Sequence, residues 1–395
     1  MTNVKTKSND LHAELLTRAV DEVIVREHLG EALETGQALR VKLGIDPTAR
    51  DLHLGHTVPL RKLRAFQDLG HTAVLIIGDF TAMIGDPSGR SEARAPLSEQ
   101  AVKENMEHYL AQASLVLDLK KTEIRYNSEW YKKGGLALLW ELLGKVTVER
   151  ALERDDFQKR LHAGEEVTLL EVLYPLLQGY DSVAVGADVE IGGSDQKFNL
   201  LMGRKIPRRF GRREQDIMTT VLIEGTDGTR KMSKTFGNDI ALSATADDMF
   251  GRVMSIPDPL IKKYFLALTD VGLDEIEAAA RANPRDAKLK LAETVVGMYR
   301  GIRAGARARA RFIEIFSLGR ALPPSRKAEI PYGKRDPVEI LVRAGLAPSK
   351  AAARRLILQK GVVVDEKKVS NPQDMIEVKQ GMIIRVGKRQ AVQVK

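Results

Sequence analysis

The stretch ALRVKLGIDPTARDLHLGHTVPLRKLRAFQDLGHTAVLIIGDF, residues 38–80, decides the fold class. It opens with a short apolar-rich run, ALRVKLGID, that glycine and proline bring to an end. The next part, PLRKLRAFQDLG, spaces its apolar residues as a helix does, and TAVLIIGDF at 72–80 is then apolar over most of its length. A strand covered on one face alternates apolar with polar residues, whereas one covered on both faces reads as a continuous apolar run. Strand, helix and apolar strand in succession therefore predict a parallel α/β sheet with helices over its faces. TEIRYN at 122–127 and DVEIGGSDQ, which opens into the helix-like KFNLLMGRK, supply further strands. Residues 11–38, ahead of this stretch, read as helix.

Beyond Ala241 the pattern turns helical through LIKKYFLALTDVGLDEIEAA and AKLKLAETVVGMYRG. ALPPSRKAEIPYGKRDP at 321–337 carries four prolines and reads as a linker. Two helical segments, PVEILVRAGL and SKAAARRLILQKG, and two strand-like ones, VVVDEKKV and MIIRVGKRQAVQV, follow it. The expected division is 1–240 for the sheet domain, 241–322 for a helical domain, 323–335 for the linker and 336–395 for a small α+β domain.

The chain of 395 residues has no cysteine, which excludes disulfides, thiolate metal sites and a cysteine nucleophile. No run approaches the roughly 18 apolar residues of a membrane span, and MTNVKTKSNDLHAELL lacks the apolar core of a signal peptide. A cytoplasmic protein without membrane contact is expected. The charge is uneven: from Pro331 to Lys395 there are 14 Lys or Arg against 6 Asp or Glu, so +8 of the net +9 sits in this terminal segment. Charge concentrated in this way suits a polyanion such as RNA.

Within the opening stretch, HLGH places His53 and His56 three residues apart where a helix begins. A helix N-terminus offers unpaired N–H groups and a partial positive charge, which favour phosphate. Imidazoles there add donors for the charge that develops as a phosphate is displaced. No acidic residue follows at the spacing of the His-Glu-x-x-His zinc motif, so metal is disfavoured. DGTRKMSKTFGN at 227–238 adds Lys231 and Lys234 around Ser233 in a glycine-flanked loop. Flexible lysines suit a pyrophosphate leaving group, whose charge accumulates in the transition state.

HLGH and KMSKT resemble the two signatures of the class I aminoacyl-tRNA synthetases, in the same order. GIDPTARDLHLGH, FTAMIGDPSGR, YPLLQGYD and IGGSDQ extend the resemblance along the chain, and it is the bacterial tyrosyl-tRNA synthetases that these segments are similar to. The C-terminal segment resembles an S-four-type RNA-binding module shared with a ribosomal protein. The resemblance implies a Rossmann-like catalytic domain, a helical domain and the RNA-binding domain. It also implies L-tyrosine, ATP and tRNA(Tyr) as substrates, Mg2+ accompanying ATP, and a homodimer. Tryptophanyl-tRNA synthetase is the runner-up. A non-catalytic RNA-binding protein with a decayed synthetase body is a further alternative, against which the intact histidines and lysines argue. A small-metabolite adenylyltransferase would leave the lysine loop and the basic tail without a purpose.

Tyr174, Gln178 and Asp181 fall at i, i+4 and i+7, so one helix face presents all three. By the resemblance, Asp181 takes the phenol hydroxyl and Tyr174, Gln178 and Asp86 the ammonium, with Gln196 and Thr81 completing the tyrosine pocket. His53, His56, Lys231 and Lys234 are the implied catalytic groups. Gly44, Asp46, Gly55, Gly193, Asp195, Met232 and Ser233 are implied around ATP, together with Arg90 and Arg94 of a basic loop. One position departs from the pattern. Many tyrosyl enzymes place a tyrosine that shares the phenol hydroxyl two residues before the glycine of GIDPT, and here that position is Lys42. Lys42 is therefore counted with the tyrosine pocket, where it either pairs with Asp181 or points away.

Overall fold

A computed structural model describes residues 10–88, 97–316, 326–387 and 390–395. Six strands, β1 (Val20–Ile24), β2 (Arg40–Ile45), β3 (Thr72–Ile77), β4 (Thr122–Tyr126), β5 (Val189–Gly193) and β6 (Asp216–Thr220), form one sheet in the order β1-β6-β5-β2-β3-β4. All neighbours are parallel except β1, which runs antiparallel to β6 at the edge. The chain steps outward from β2 to β4, then returns to β5 on the other side of β2. Loops leaving the carboxyl ends of β2 and β5 diverge at this reversal, and the crevice between them is where open α/β sheets take ligands.

The central strands follow the expectation, with β3 buried at every residue after Thr72. Two strands of this sheet, β1 and β6, were not expected. The presumed 11–38 helix is interrupted: Ala19 takes a left-handed φ of 54°, β1 follows, and a helix resumes over Arg26–Glu34. β1 exists because it pairs with β6, almost 200 residues away, and tertiary pairing of that kind overrides local propensity.

Helix α1 (Leu54–Asp68) follows β2 and buries Leu54, Val58, Leu60, Leu63 and Phe66. α2 (Ser128–Gly144) follows β4. α3 (Leu169–Val185) starts at a reciprocal capping box, in which Thr168 accepts from the Glu171 N–H and Glu171 from the Thr168 N–H, and it stops at Gly186 with φ of 62°. The helices beyond Ala241 are fastened to the sheet region. Lys263 pairs with Glu224 at 2.8 Å, the Tyr264 hydroxyl donates to the Glu224 carbonyl, and Arg300 donates to the carbonyls of Leu242 and Ala244. Those between Ala246 and Arg300 belong with the sheet to one compact unit, Met1–Gly305, rather than forming a separate one.

The second unit is Ala306–Lys395. Its strands are β7 (Arg326–Ala328), β8 (Gly333–Arg335), β9 (Val362–Val364), β10 (Lys367–Val369), β11 (Ile376–Val378), β12 (Ile383–Val386) and β13 (Gln390–Val394). Five of them run in the order β10-β9-β12-β13-β7, and β8 pairs with β11. Helices Pro337–Arg343 and Lys350–Leu358 pack on a core that includes Ile340, Leu341, Ile357 and Ile384. The expected linker 323–335 thus contributes β7 and β8. Both are three-residue strands at sheet margins, where neighbouring prolines are tolerated because few ladder hydrogen bonds depend on them.

Candidate active site

A cavity of about 650 Å³ opens at the carboxyl ends of β2 and β5. Gly44 and Asp46 reach it from β2 and the loop that follows, and Gly193, Asp195 and Gln196 from β5 and its loop. Every candidate residue named from the sequence lines this cavity except Lys42, which lies elsewhere, and Arg90 and Arg94, which lie outside the described residues.

His53 is the N-cap of α1, and the two histidines close a capping box of their own. The Gly55 N–H donates to His53 Nδ1 at 3.1 Å, and the His53 N–H donates to His56 Nδ1 at 3.1 Å. Each Nδ1 is thereby an acceptor, so each ring carries its proton on Nε2. Burial, followed by the opposing ring and by Lys234 and Lys231, holds the pKa of His53 down to about 2. Burial and Lys234 lower His56 to about 4. Both imidazoles are neutral donors at neutral pH. Gly55 is required for this packing, since a Cβ there would lie 2.9 Å from His53 Nδ1 and Cε1.

The lysine loop is held to the histidine segment through residues 240–242: the Leu54 N–H donates to the Ile240 carbonyl and the Leu242 N–H to the Leu52 carbonyl. Inside the loop, buried Asn238 accepts from the Ser233 N–H and donates to the carbonyls of Arg230 and Lys231. Lys231 Nζ rests on Asp195 Oδ2 at 2.8 Å and Lys234 Nζ on Asp51 Oδ2 at 3.2 Å. These half-exposed pairs are weak, and a more highly charged partner displaces them readily. Asp51 was not singled out from the sequence.

At the other end of the cavity the α3 face appears as expected, with Tyr174, Gln178 and Asp181 all lining it. Asp181 accepts from Trp130 Nε1 at 2.9 Å, from the Tyr131 hydroxyl at 2.8 Å and from Asn127 Nδ2 at 3.4 Å. Asn127 also donates to Thr81 Oγ1, which donates to Asp46 Oδ1 at 2.8 Å, and Tyr174 donates to Asp46 Oδ2 at 2.9 Å. A Cβ at Gly78 would run into the Asp46 carboxylate and the Thr81 hydroxyl, so glycine is needed where this chain of bonds passes the residue that follows β3. Asp86 accepts from Gln196 Nε2 at 2.6 Å and from Asn199 Nδ2 at 3.2 Å. Sequence reading missed Trp130, Tyr131, Asn127 and Asn199. Nothing local ties the two aromatics to Asp181, which lies 51 and 50 residues away.

Three carboxylates, Asp46, Asp86 and Asp181, face one cavity. Burial, with Asp86 and Asp181 adding repulsion, raises the pKa of Asp46 to about 7 against the hydrogen bonds from Thr81 and Tyr174. Burial raises Asp181 to about 6, against the opposing effects of Lys42 and of its three donors. A cationic group entering here relieves the repulsion.

Lys42 corrects an expectation. It is fully buried away from the cavity and pairs with Glu190 at 2.9 Å instead of with Asp181. On β2, Leu43 lies between Lys42 and Gly44; Lys42 reaches α3, where it also donates to the Gln178 carbonyl and the Ser182 hydroxyl. It does not line the cavity, whereas Asp181 does.

The family model described as tRNA synthetases class I (W and Y) matches residues 34–317, and the model of the S4 domain matches 338–382. A tyrosine–tRNA ligase of Symbiobacterium thermophilum is 47% identical over 394 residues, covering 97% of each chain. One of Thermotoga maritima is 46% identical over 381 residues, covering 95% of each. A C-terminally truncated mitochondrial tyrosyl-tRNA synthetase of Coccidioides posadasii shares the fold, with a TM-score of 0.65 at 22% identity over 78% of this chain and 95% of that one. The L-tyrosine complex of the tyrosyl-tRNA synthetase of Archaeoglobus fulgidus does so at 0.60 and 19%, over 77% and 99%.

Proposed function

The chain belongs to the class I tRNA synthetases of the tryptophanyl and tyrosyl group, and from that premise we propose how its cavity divides the work of charging tRNA. It is a tyrosine–tRNA ligase, as are relatives at 46% and 47% identity over nearly the whole chain; a tryptophanyl reading is not favoured. The tyrosine carboxylate attacks the α-phosphorus of ATP, giving tyrosyl-adenylate and pyrophosphate. The terminal ribose of tRNA(Tyr) then takes the tyrosyl group and releases AMP. No covalent enzyme intermediate is needed, so the rate comes from positioning and electrostatics.

The observation that carries the assignment is one cavity with a buried carboxylate at one end and two neutral imidazoles facing two lysines at the other. Asp181 takes the phenol hydroxyl, while Tyr174, Gln178 and Asp86 hold the ammonium beside Thr81 and Gln196. Gly44, Asp46, Gly193 and Asp195 receive the nucleotide. His53 and His56 donate Nε2–H to the phosphates, and the segment Lys231–Met232–Ser233–Lys234 follows pyrophosphate as it leaves. A ribose hydroxyl on Asp195 takes the place of Lys231 and frees it for the phosphates. Among the described residues no group of three or more His, Cys, Asp or Glu is placed to hold a metal. Mg2+ is proposed to accompany the ATP phosphates. The charging reaction tests the assignment: purified full-length chain, tyrosine, ATP and tRNA(Tyr) yield tyrosyl-tRNA, and no charging under any salt condition contradicts it.

Tyrosine affinity is expected to follow the carboxylates. The phenol hydroxyl donates to the ionised form of Asp181, whose pKa is raised to about 6, so the ionised fraction falls as pH drops toward and through 6. The apparent KM for tyrosine rises from pH 8 to pH 6 in steady-state exchange, with no separate limb from histidine because both rings stay neutral. A KM that is flat over this range contradicts the carboxylate reading.

The tRNA contacts are placed on the C-terminal unit, which matches an S4 domain and carries most of the net charge. No helix among the described residues is long and apolar enough to cross a membrane. A homodimer is supported by α2, where Leu136, Trp140 and Leu143 stand 75%, 78% and 53% exposed at i, i+4 and i+7. An apolar helical row of this kind marks a protein interface. Trp140→Asp is expected to convert dimer to monomer in light scattering at micromolar concentration; an unchanged mass removes α2 from the interface.

A further inference from the structure

Lys42 and Glu190 form an ion pair sealed between the sheet and α3, 0% and 1% exposed, with Nζ 2.9 Å from Oε1. Neither lines the cavity. Taking two charges out of water costs about as much as their attraction returns, and apolar side chains of similar volume often stabilise a core better. Stability therefore gives no account of the pair.

What the two charges share is Gln178. Lys42 Nζ donates to the Gln178 backbone carbonyl at 2.9 Å, and Gln178 Nε2 donates to Glu190 Oε1 at 3.0 Å. Ser182, one turn further along α3, accepts from Lys42 at 2.8 Å and donates to Glu190 Oε2 at 3.2 Å. Gln215 donates to Oε2 as well. A carboxylate only accepts, so the amide of Gln178 is held by its NH2 group and keeps its carbonyl oxygen for the cavity that it lines. A free amide has two orientations of similar energy, and the reversed one points N–H groups at an ammonium.

We propose that the buried Lys42–Glu190 pair is a positioning device that locks the Gln178 amide with its oxygen toward the substrate ammonium. This rests on the cavity being the tyrosine site. A position used in many relatives to touch the phenol hydroxyl thus acts here, from behind the pocket wall, on the opposite end of the substrate.

The test compares L-tyrosine with 3-(4-hydroxyphenyl)propanoate, which keeps the phenol and carboxylate but lacks the ammonium. Binding of each is measured by calorimetry on the full chain, for wild type, Lys42→Met and the double variant Lys42→Met/Glu190→Met. The double variant replaces both charges with apolar side chains and covers the case in which the single one, with its stranded carboxylate, does not fold. Tyrosine is expected to weaken about tenfold, the size of a loosened hydrogen bond to a charged group. In the double variant, measured at about pH 8.5 so that Asp181 stays ionised without Lys42, the desamino compound should stay within about twofold, because a fault confined to the ammonium contact does not reach it. Parallel weakening of both ligands, or unchanged tyrosine binding in the double variant, overturns the proposal. Wild-type protein that fails to bind tyrosine, or prefers the desamino compound, overturns the tyrosine-site reading itself.

Discussion

Replacing Asp181 by alanine is expected to remove most of the preference for tyrosine over phenylalanine, which differ by one hydroxyl. A site with a polar group reserved for that hydroxyl leaves it unpaired when phenylalanine enters. Rejection then reaches roughly 10⁴–10⁵-fold without editing, a figure taken over from a tyrosyl enzyme rather than obtained from this geometry. With Lys42 turned to Glu190, Asp181 is the one carboxylate that the proposed assignment leaves for the phenol. Its orientation is fixed by Trp130, Tyr131 and Asn127, so its free lone pairs are ready for the ligand before it arrives. Alanine also strands those buried donors, at a cost of about 1–3 kcal/mol of stability. Asp181→Asn, which keeps the shape, is the companion variant. The readout is kcat/KM for both amino acids in ATP–pyrophosphate exchange. An Asp181→Ala enzyme that still prefers tyrosine by several orders of magnitude removes the α3 face from its assigned role.

His56→Ala and Lys234→Ala are each expected to slow adenylate formation by roughly 10²–10³-fold while tyrosine affinity barely moves, since each removes one preorganised donor to the reacting phosphate. The geometry explains why the loss falls on rate. Lys234 is parked on Asp51 at 3.2 Å, and phosphate charge draws it away only as it develops. His56 also caps the His53 N–H, so its alanine variant gives up about 1 kcal/mol of helix stability as well. Thermal melting separates that loss from the catalytic one. Tyrosine affinity collapsing in step with the rate contradicts these roles.

The chemistry of the site was legible where it is local. HLGH and KMSKT each place their groups within four residues, and Tyr174, Gln178 and Asp181 share a face because a helix repeats every 3.6 residues. What stayed hidden is long-range. Trp130 and Tyr131 meet Asp181 across 51 and 50 residues, and Lys42 meets the Gln178 carbonyl across 136. No spacing rule encodes such partners. In the fold, β2, β3 and β5 could be read because most of their residues are buried, and β1 could not, because its partner β6 fixes it from the far end of the domain. The 323–335 stretch misled because its prolines suggest a linker, although they flank strands that three residues suffice to form.

The central claim is that this cavity activates tyrosine by transferring adenylate from ATP. Amino-acid-dependent exchange of pyrophosphate into ATP, run on the wild-type protein with each of the twenty natural amino acids, tests it most directly. Exchange is expected with tyrosine and, at comparable efficiency, with no other amino acid, phenylalanine included. Exchange driven by tryptophan, or no exchange with tyrosine, contradicts it.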